Sequence, residues 1–207
     1  MGIRILPDEL INQIAAGEVI EKPAYVIKEL IENSIDAKAT EIDIMIRDGG
    51  KSEIIVADNG KGIFKNDLEL SLKRHATSKL PDNTLNKIEY LGFRGEALPS
   101  IAAVSELNLQ SKYIDSNQAW SLDVFAGDFK EVYPSSLETG TKVSIKKLFF
   151  ATPARLKFLK SSQVEKSYCH QTILKMALVN PVVGFSFKAD GRELLSIKPE
   201  NEVDALY

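Results

Sequence analysis

Between Pro23 and Ile35 the apolar positions recur at helical spacing. Ile27, Leu30 and Ile31 share one side with Ser34, while Glu29, Asn33 and Asp36, spaced four and three apart, share the other. Pro23 stands at the first turn, where its missing N–H costs nothing. The period then changes to two. Ile42, Ile44 and Ile46 alternate with Asp43, Met45 and Arg47, which predicts a strand with one buried face. Asp48-Gly49-Gly50-Lys51 supplies a hairpin turn, and Glu53 to Asp58 the partner strand. Upstream, Asp8 to Ala16 reads as a short helix with Asp8 as N-cap and Gly17 ending it. Downstream, a helix is expected around Asn66 to Leu72 and another over 96–104, separated by a polar, glycine-containing stretch over 73–95. Unpatterned loops of that length inside compact domains are usually functional or mobile. Strand-like runs follow at 106–113, 119–126, 129–133 and 140–147, then helices from Pro153 and from Ser162 to Val179. The last pattern is a hairpin, 183–189 and 192–198, around Asp190-Gly191.

These strands are joined mainly by hairpins, not by alternating helices. The expected class is α+β: a mixed, largely antiparallel sheet backed by helices on one face. Residues 1–200 are expected to form one domain, with 201–207 opening a truncated following one. Composition narrows the setting. With 44% apolar residues and no run near the ~20 needed to cross a bilayer, the chain reads as a globular, cytoplasmic protein. The single Cys169 cannot form an internal disulfide, which suits a reducing compartment. The net charge of −3 excludes a strongly basic nucleic-acid coat, but charge is unevenly placed. Residues 1–60 carry twelve acids and six bases, whereas Lys142 to Lys160 carries six bases and no acid. That stretch can meet phosphates, or it can be a solvated helix face plus strand ends.

The candidate chemistry lies in three short strings: Glu29 to Ala37, Asp58 to Ile63, and Gly92 to Leu98. Phosphoryl transfer to water needs a group to position the water, a metal on the phosphate oxygens and donors for developing charge. Glu29 is the candidate general base, and Asn33, one turn on, offers a neutral oxygen to Mg, which keeps several waters and needs few protein ligands. Asp58, ending its strand, can accept a hydrogen bond from an exocyclic amine such as adenine N6. Gly60 and Gly62 let a flat ring approach the backbone, and Thr141 can add a hydroxyl. Glycine-freed N–H groups around Gly92 and Gly95, with Arg94, form an anion site before a helix. The hydroxyls and cations of Arg74 to Lys79, Thr77 and Ser78 included, can fold over phosphates as a lid. An exposed helix face would equally carry Glu29, and an Asp-Asn-Gly turn needs no ligand to explain it. The chain has no Gly-x-x-x-x-Gly-Lys-Ser/Thr string and so is not a P-loop protein.

The three strings in this order resemble the GHKL ATPase superfamily (the Bergerat fold), which includes gyrase, Hsp90 and histidine kinases. Asn12 to Ile20, Arg74 to Lys79, Gly92 to Leu98 and Thr152-Pro153-Ala154-Arg155 are similar to the MutL-type DNA mismatch repair family, over essentially the whole chain. The resemblance implies an eight-stranded mixed sheet holding ATP under a lid. It implies Glu29 as the water-activating residue, Asn33 as the Mg ligand, and Asp58 as the adenine reader beside Gly62 and Thr141. Thr77, Ser78, Lys79, Arg94, Gly95 and Glu96 belong to the implied lid. It further implies a nucleoid-associated protein of the bacterial cytosol, an ATP-dependent homodimer that engages DNA, weakly for these 207 residues alone, and couples a MutS-type mismatch recognition protein to a downstream nuclease or helicase. Family members carry a second domain whose lysine reaches the γ-phosphate, so hydrolysis by these 207 residues alone is expected to be weak. A type II topoisomerase ATPase region or an Hsp90-type chaperone would share the first two strings but not Gly92 to Leu98. A histidine kinase would place a phospho-acceptor helix before the domain. A nucleotide-gated clamp, in which hydrolysis only resets an ATP-driven dimer, is the non-enzymatic alternative.

Overall fold

The computed structural model describes residues 4–77 and 95–199. The apolar side of α2 (Pro23–Asp36) buries Val26, Ile27, Leu30, Ile31 and Ser34, as the spacing predicts. These side chains pack on the isoleucine face of β1 (Glu41–Arg47), whose burial alternates residue by residue. A one-turn 3-10 segment over Asp48–Gly50 returns the chain into β2 (Glu53–Asp58), antiparallel to β1. Another such turn, Lys65–Asp67, leads into the short α3 (Leu68–Ser71), where one longer helix is predicted. After α4 (Ala97–Ala103) come β3 (Glu106–Lys112), β4 (Ala119–Phe125), β5 (Asp128–Phe129), β6 (Tyr133–Ser135) and β7 (Gly140–Lys146). Then follow α5 (Pro153–Leu156), α6 (Ser162–Leu178), β8 (Gly184–Ala189) and β9 (Arg192–Ile197). The stretch expected to open a following domain, 201–207, lies outside the described residues.

Among the described residues the strands form one nine-stranded sheet, ordered β5-β4-β3-β7-β2-β1-β8-β9 with β6 also on the edge of β4. Every pair is antiparallel except β1 with β8. The α+β expectation therefore holds. The ninth strand arises where one run, 129–133, is predicted. β5 and β6 both pair with β4, but their registers differ by one residue: Phe129 faces Val124, whereas Tyr133 faces Ser121. The extra residue breaks the ladder as a bulge does.

Two expectations about α1 (Asp8–Val19) are corrected. The N-cap is Pro7, which has no hydroxyl or carboxylate to offer, and Asp8 is the first helical residue. Gly17 does not stop the helix; it sits inside it, facing the Arg155 guanidinium so closely that a Cβ there would lie 2.1 Å from Nη2. Arg155 Nη1 also donates to the Ile20 carbonyl at 3.4 Å, fastening the end of α1 to the α5 segment. The absent side chain makes room for a neighbour, so this glycine is no terminator. No helix among the described residues is long and apolar enough to cross a membrane.

Candidate nucleotide site

The sheet order places Asp58, Thr141 and Ser111 side by side across β2, β7 and β3. Two residues inward on the same face, Val56, Val143 and Leu109 make the matching apolar row. A polar row thus ends the apolar face, directly under the C-terminal half of α2. Asp58 is held from three directions. Its Oδ1 accepts from the Gly60 N–H at 2.9 Å and the Thr141 N–H at 3.3 Å, and its Oδ2 accepts from Ser34 Oγ at 2.8 Å. Burial pushes the Asp58 carboxyl above its ordinary value, against these three hydrogen bonds, each of which favours the charged form.

Asn59 closes the same corner structurally, accepting from the Thr40 and Glu41 N–H groups at 2.8 and 3.0 Å. Ser111 Oγ lies 3.0 Å from Thr141 Oγ1 and 2.8 Å from the Gly140 carbonyl, and it accepts the Ile63 N–H at 2.8 Å. The Ile114 N–H donates to the Lys61 carbonyl at 2.9 Å. The segment after Asp58 is thereby stapled to the end of β3. The reason for its glycines differs from the sequence expectation. A Cβ on Gly62, at φ +72°, would come within 2.1 Å of the Lys112 carbonyl oxygen, and one on Gly60 within 2.8 Å of that of Ala37. The chain's own backbone, before any ligand, requires both.

A cleft of about 1060 Å³ opens above this row, at the upper end of the ~300–1,000 Å³ usual for small-molecule sites. One wall is α2, which presents Glu29, Asn33 and Asp36, the three residues its helical spacing sets on one side. Lys28 Nζ lies 3.6 Å from Glu29 Oε1 and 2.6 Å from Glu32 Oε1. Burial works against the charge on Lys28, but Glu32 and Glu29 outweigh it and hold the ammonium above its ordinary value. The base of the cleft carries Asp58, Gly62 and Thr141, and its far end carries Thr77, Gly95 and Glu96. The described segments before residue 78 and after residue 94 approach each other there, with His75 Nδ1 3.6 Å from Glu96 Oε1. Ser78, Lys79 and Arg94 lie outside the described residues. All eight of the other predicted site residues border this one cleft.

Four lining or supporting residues escape a reading of the sequence. Ser34 looks like a small residue on an apolar helix face, and Ser111 like a strand position in phase with Leu107 and Leu109. The available signal is the same in both: a hydroxyl in an otherwise apolar phase. Phe64 and Tyr113 carry no motif at all; their rings stack with centroids 3.6 Å apart at 24°. The basic stretch divides on inspection. Lys147 pairs with Glu106 at 2.7 Å and Arg155 holds α1, while Lys142 is half-buried on its strand and Lys146, Lys157 and Lys160 are exposed.

No three His, Cys, Asp or Glu side chains among the described residues gather into a metal site. The donors of α2 that face the cleft are hard oxygens, in a space large enough for a triphosphate. That set fits a Mg ion bound mainly by nucleotide and water, with one protein amide.

Comparison with known proteins agrees with this geometry. A family described as "Histidine kinase-, DNA gyrase B-, and HSP90-like ATPase" matches residues 21–147. The chain is 51% identical, over its whole length, to the DNA mismatch repair protein MutL of Ehrlichia chaffeensis, of which it covers 31%. It is 47% identical over 95% of its length to MutL of Paramagnetospirillum magneticum, of which it covers 32%. The chain thus spans about a third of the curated relatives it matches. Among solved structures, the Aquifex aeolicus MutL ATPase domain complexed with ADP superposes with a TM-score of 0.76 at 34% identity, covering 91% of this chain and 68% of that one.

Proposed function

Because this chain belongs to the histidine kinase-, DNA gyrase B- and HSP90-like ATPases, and within them to the MutL mismatch repair family, we propose that its cleft binds ATP with Mg and hydrolyses it. One observation supports this most: α2, the Asp58–Thr141 pair that ends β2 and starts β7, and the 75–77 and 95–97 segments surround a single space. In this reading the adenine amine donates to Asp58, beside Gly62 and Thr141, and the phosphates run toward Thr77, Gly95 and Glu96. Ser78, Lys79 and Arg94 complete the cover over them. Asn33 would lend its amide oxygen to a Mg ion, whose charge would offset that of the phosphate oxygens. Glu29, one turn earlier on the same helix, orients the attacking water and takes its proton.

Nucleotide-driven closure of the 75–96 segment would favour a homodimer able to engage DNA. That dimer would pass mismatch recognition by a MutS-type partner to a downstream nuclease or helicase, in the bacterial cytosol.

Glu29→Ala tests the chemical assignment. Titration calorimetry should show ATP binding within a few-fold of wild type, while phosphate release falls by about 100-fold or more. Equal loss of binding and turnover would make Glu29 a structural residue. Titration in EDTA tests Mg, whose removal should weaken ATP more than adenosine.

A further inference from the structure

We propose that the stacked rings of Phe64 and Tyr113 form the outer wall of the nucleoside subsite, so that the flat base and its ribose pack against an aromatic face. The proposal rests on the nucleotide reading of the cleft and assigns to it two residues outside every motif. Three observations point there.

The first is position. Phe64 follows Gly62 by two residues, and a Cβ on Gly62 would lie 3.0 Å from the Tyr113 Cα, so the pair begins where the base-reading row ends. Together with Ile63, both rings border the large cleft and also a smaller pocket of about 150 Å³ behind them. They are a partition, with the cleft on one side.

The second is exposure. Phe64 is 51% exposed although it is stacked, and an exposed ring at the rim of an apolar cleft leaves a face for another flat ring. Nearly face-to-face stacking is the arrangement aromatic pairs favour least on their own. The surroundings must therefore impose it.

The third observation supplies that constraint. The Lys61–Ile114 and Ile63–Ser111 hydrogen bonds tie the two ring-bearing segments together, and Ser111 is in turn bonded to the Gly140–Thr141 corner. On the far side, Lys65 Nζ sits 3.7 Å from the centre of the Trp120 ring, bracing the turn that carries Phe64. The wall is rigid and indexed to Asp58. It would meet the nucleoside as a pre-formed surface, at little entropic cost.

The test is calorimetric titration of the 207-residue chain with ATP and with ADP. Phe64→Ala and Tyr113→Ala should each weaken both nucleotides by the same factor, on the order of tenfold, because base and ribose are common to both. Tyr113→Phe, which keeps the ring, should bind as wild type. Asp58→Asn, titrated in parallel, probes the underlying site. If Asp58→Asn is impaired while both alanine variants bind normally, the wall is wrong and the base site stands. If Asp58→Asn binds as wild type, the site reading itself fails. Weakening of ATP alone would move the pair to the phosphate end and overturn the proposal. Phe64→Ala, at a half-exposed position, keeps the test decisive should Tyr113→Ala fail to fold.

Discussion

Asp58, the residue proposed to read the base, works against the stability of the fold that holds it. Its carboxyl is largely but not fully withdrawn from water, and that burial raises its pKa despite donors from Gly60, Thr141 and Ser34. Below its ordinary value of 3.8 the group is neutral folded or unfolded, and its burial has no ionic cost. As pH rises through the raised folded value, the native state must ionise a buried acid, and that share of stability is lost. Asp58→Asn removes the ionisation while keeping the contacts. The amide oxygen can accept from Gly60 and Thr141, and the amide nitrogen can donate to Ser34 Oγ, which itself donates to the Leu30 carbonyl at 3.1 Å. We expect this variant, free of nucleotide, to melt above wild type at pH 7, with the gap closing as the pH falls toward 4, while its ATP affinity drops. Thermal melts across that range check it; a variant less stable at pH 7 would refute the burial argument. The carboxylate is legible in the sequence as a strand-ending acid before Asn-Gly. Its partner Ser34 is not, because a serine among isoleucines on a helix face is chemically ordinary until the sheet beneath it is known.

At the scale of elements, periodicity located nearly every helix and strand, because burial on one face writes a period of 3.6 or 2 into the chain. It failed where the cause was tertiary. The run at 129–133 is interrupted by a one-residue slip against β4 that no local pattern encodes. Gly17 reads as a helix end because glycine usually is one, yet here it admits the Arg155 side chain from far along the chain. This pairing predicts a specific non-additivity. In an Arg155→Ala background, Gly17→Ala should stabilise by about 1 kcal/mol, the usual gain of alanine over glycine in a helix interior. In the wild-type background the new Cβ meets the guanidinium, and that gain should vanish or reverse. A double-mutant cycle in urea should return a coupling of about 1 kcal/mol or more. Additive effects would mean that Arg155 moves aside freely and does not fasten α1.

For the whole molecule, the decisive fact is convergence. Asp58 and Thr141 are 83 residues apart in sequence, yet a hydrogen bond joins them. The motifs that suggested a nucleotide site could be named from the sequence. Their meeting could not, because it depends on β7 pairing with β2 and on which face of α2 turns to the cleft. The site draws on α2, β2, β7 and the segments on either side of α3, elements spread from residue 29 to residue 143. A ligand that bridges these elements binds the native chain and has no counterpart in the unfolded one. Mg-ATP at about a hundred times its Kd should therefore stabilise the fold by about 2.7 kcal/mol. For a chain of this size that corresponds to a rise in Tm of roughly 5–10 °C. Glu29→Ala should show the same rise, since the residue is assigned to turnover and not to holding the nucleotide. Asp58→Asn should show a smaller rise from its higher starting point. If Mg-ATP left the Tm of the wild-type chain unchanged, the cleft would not be a nucleotide site, whatever its likeness to one.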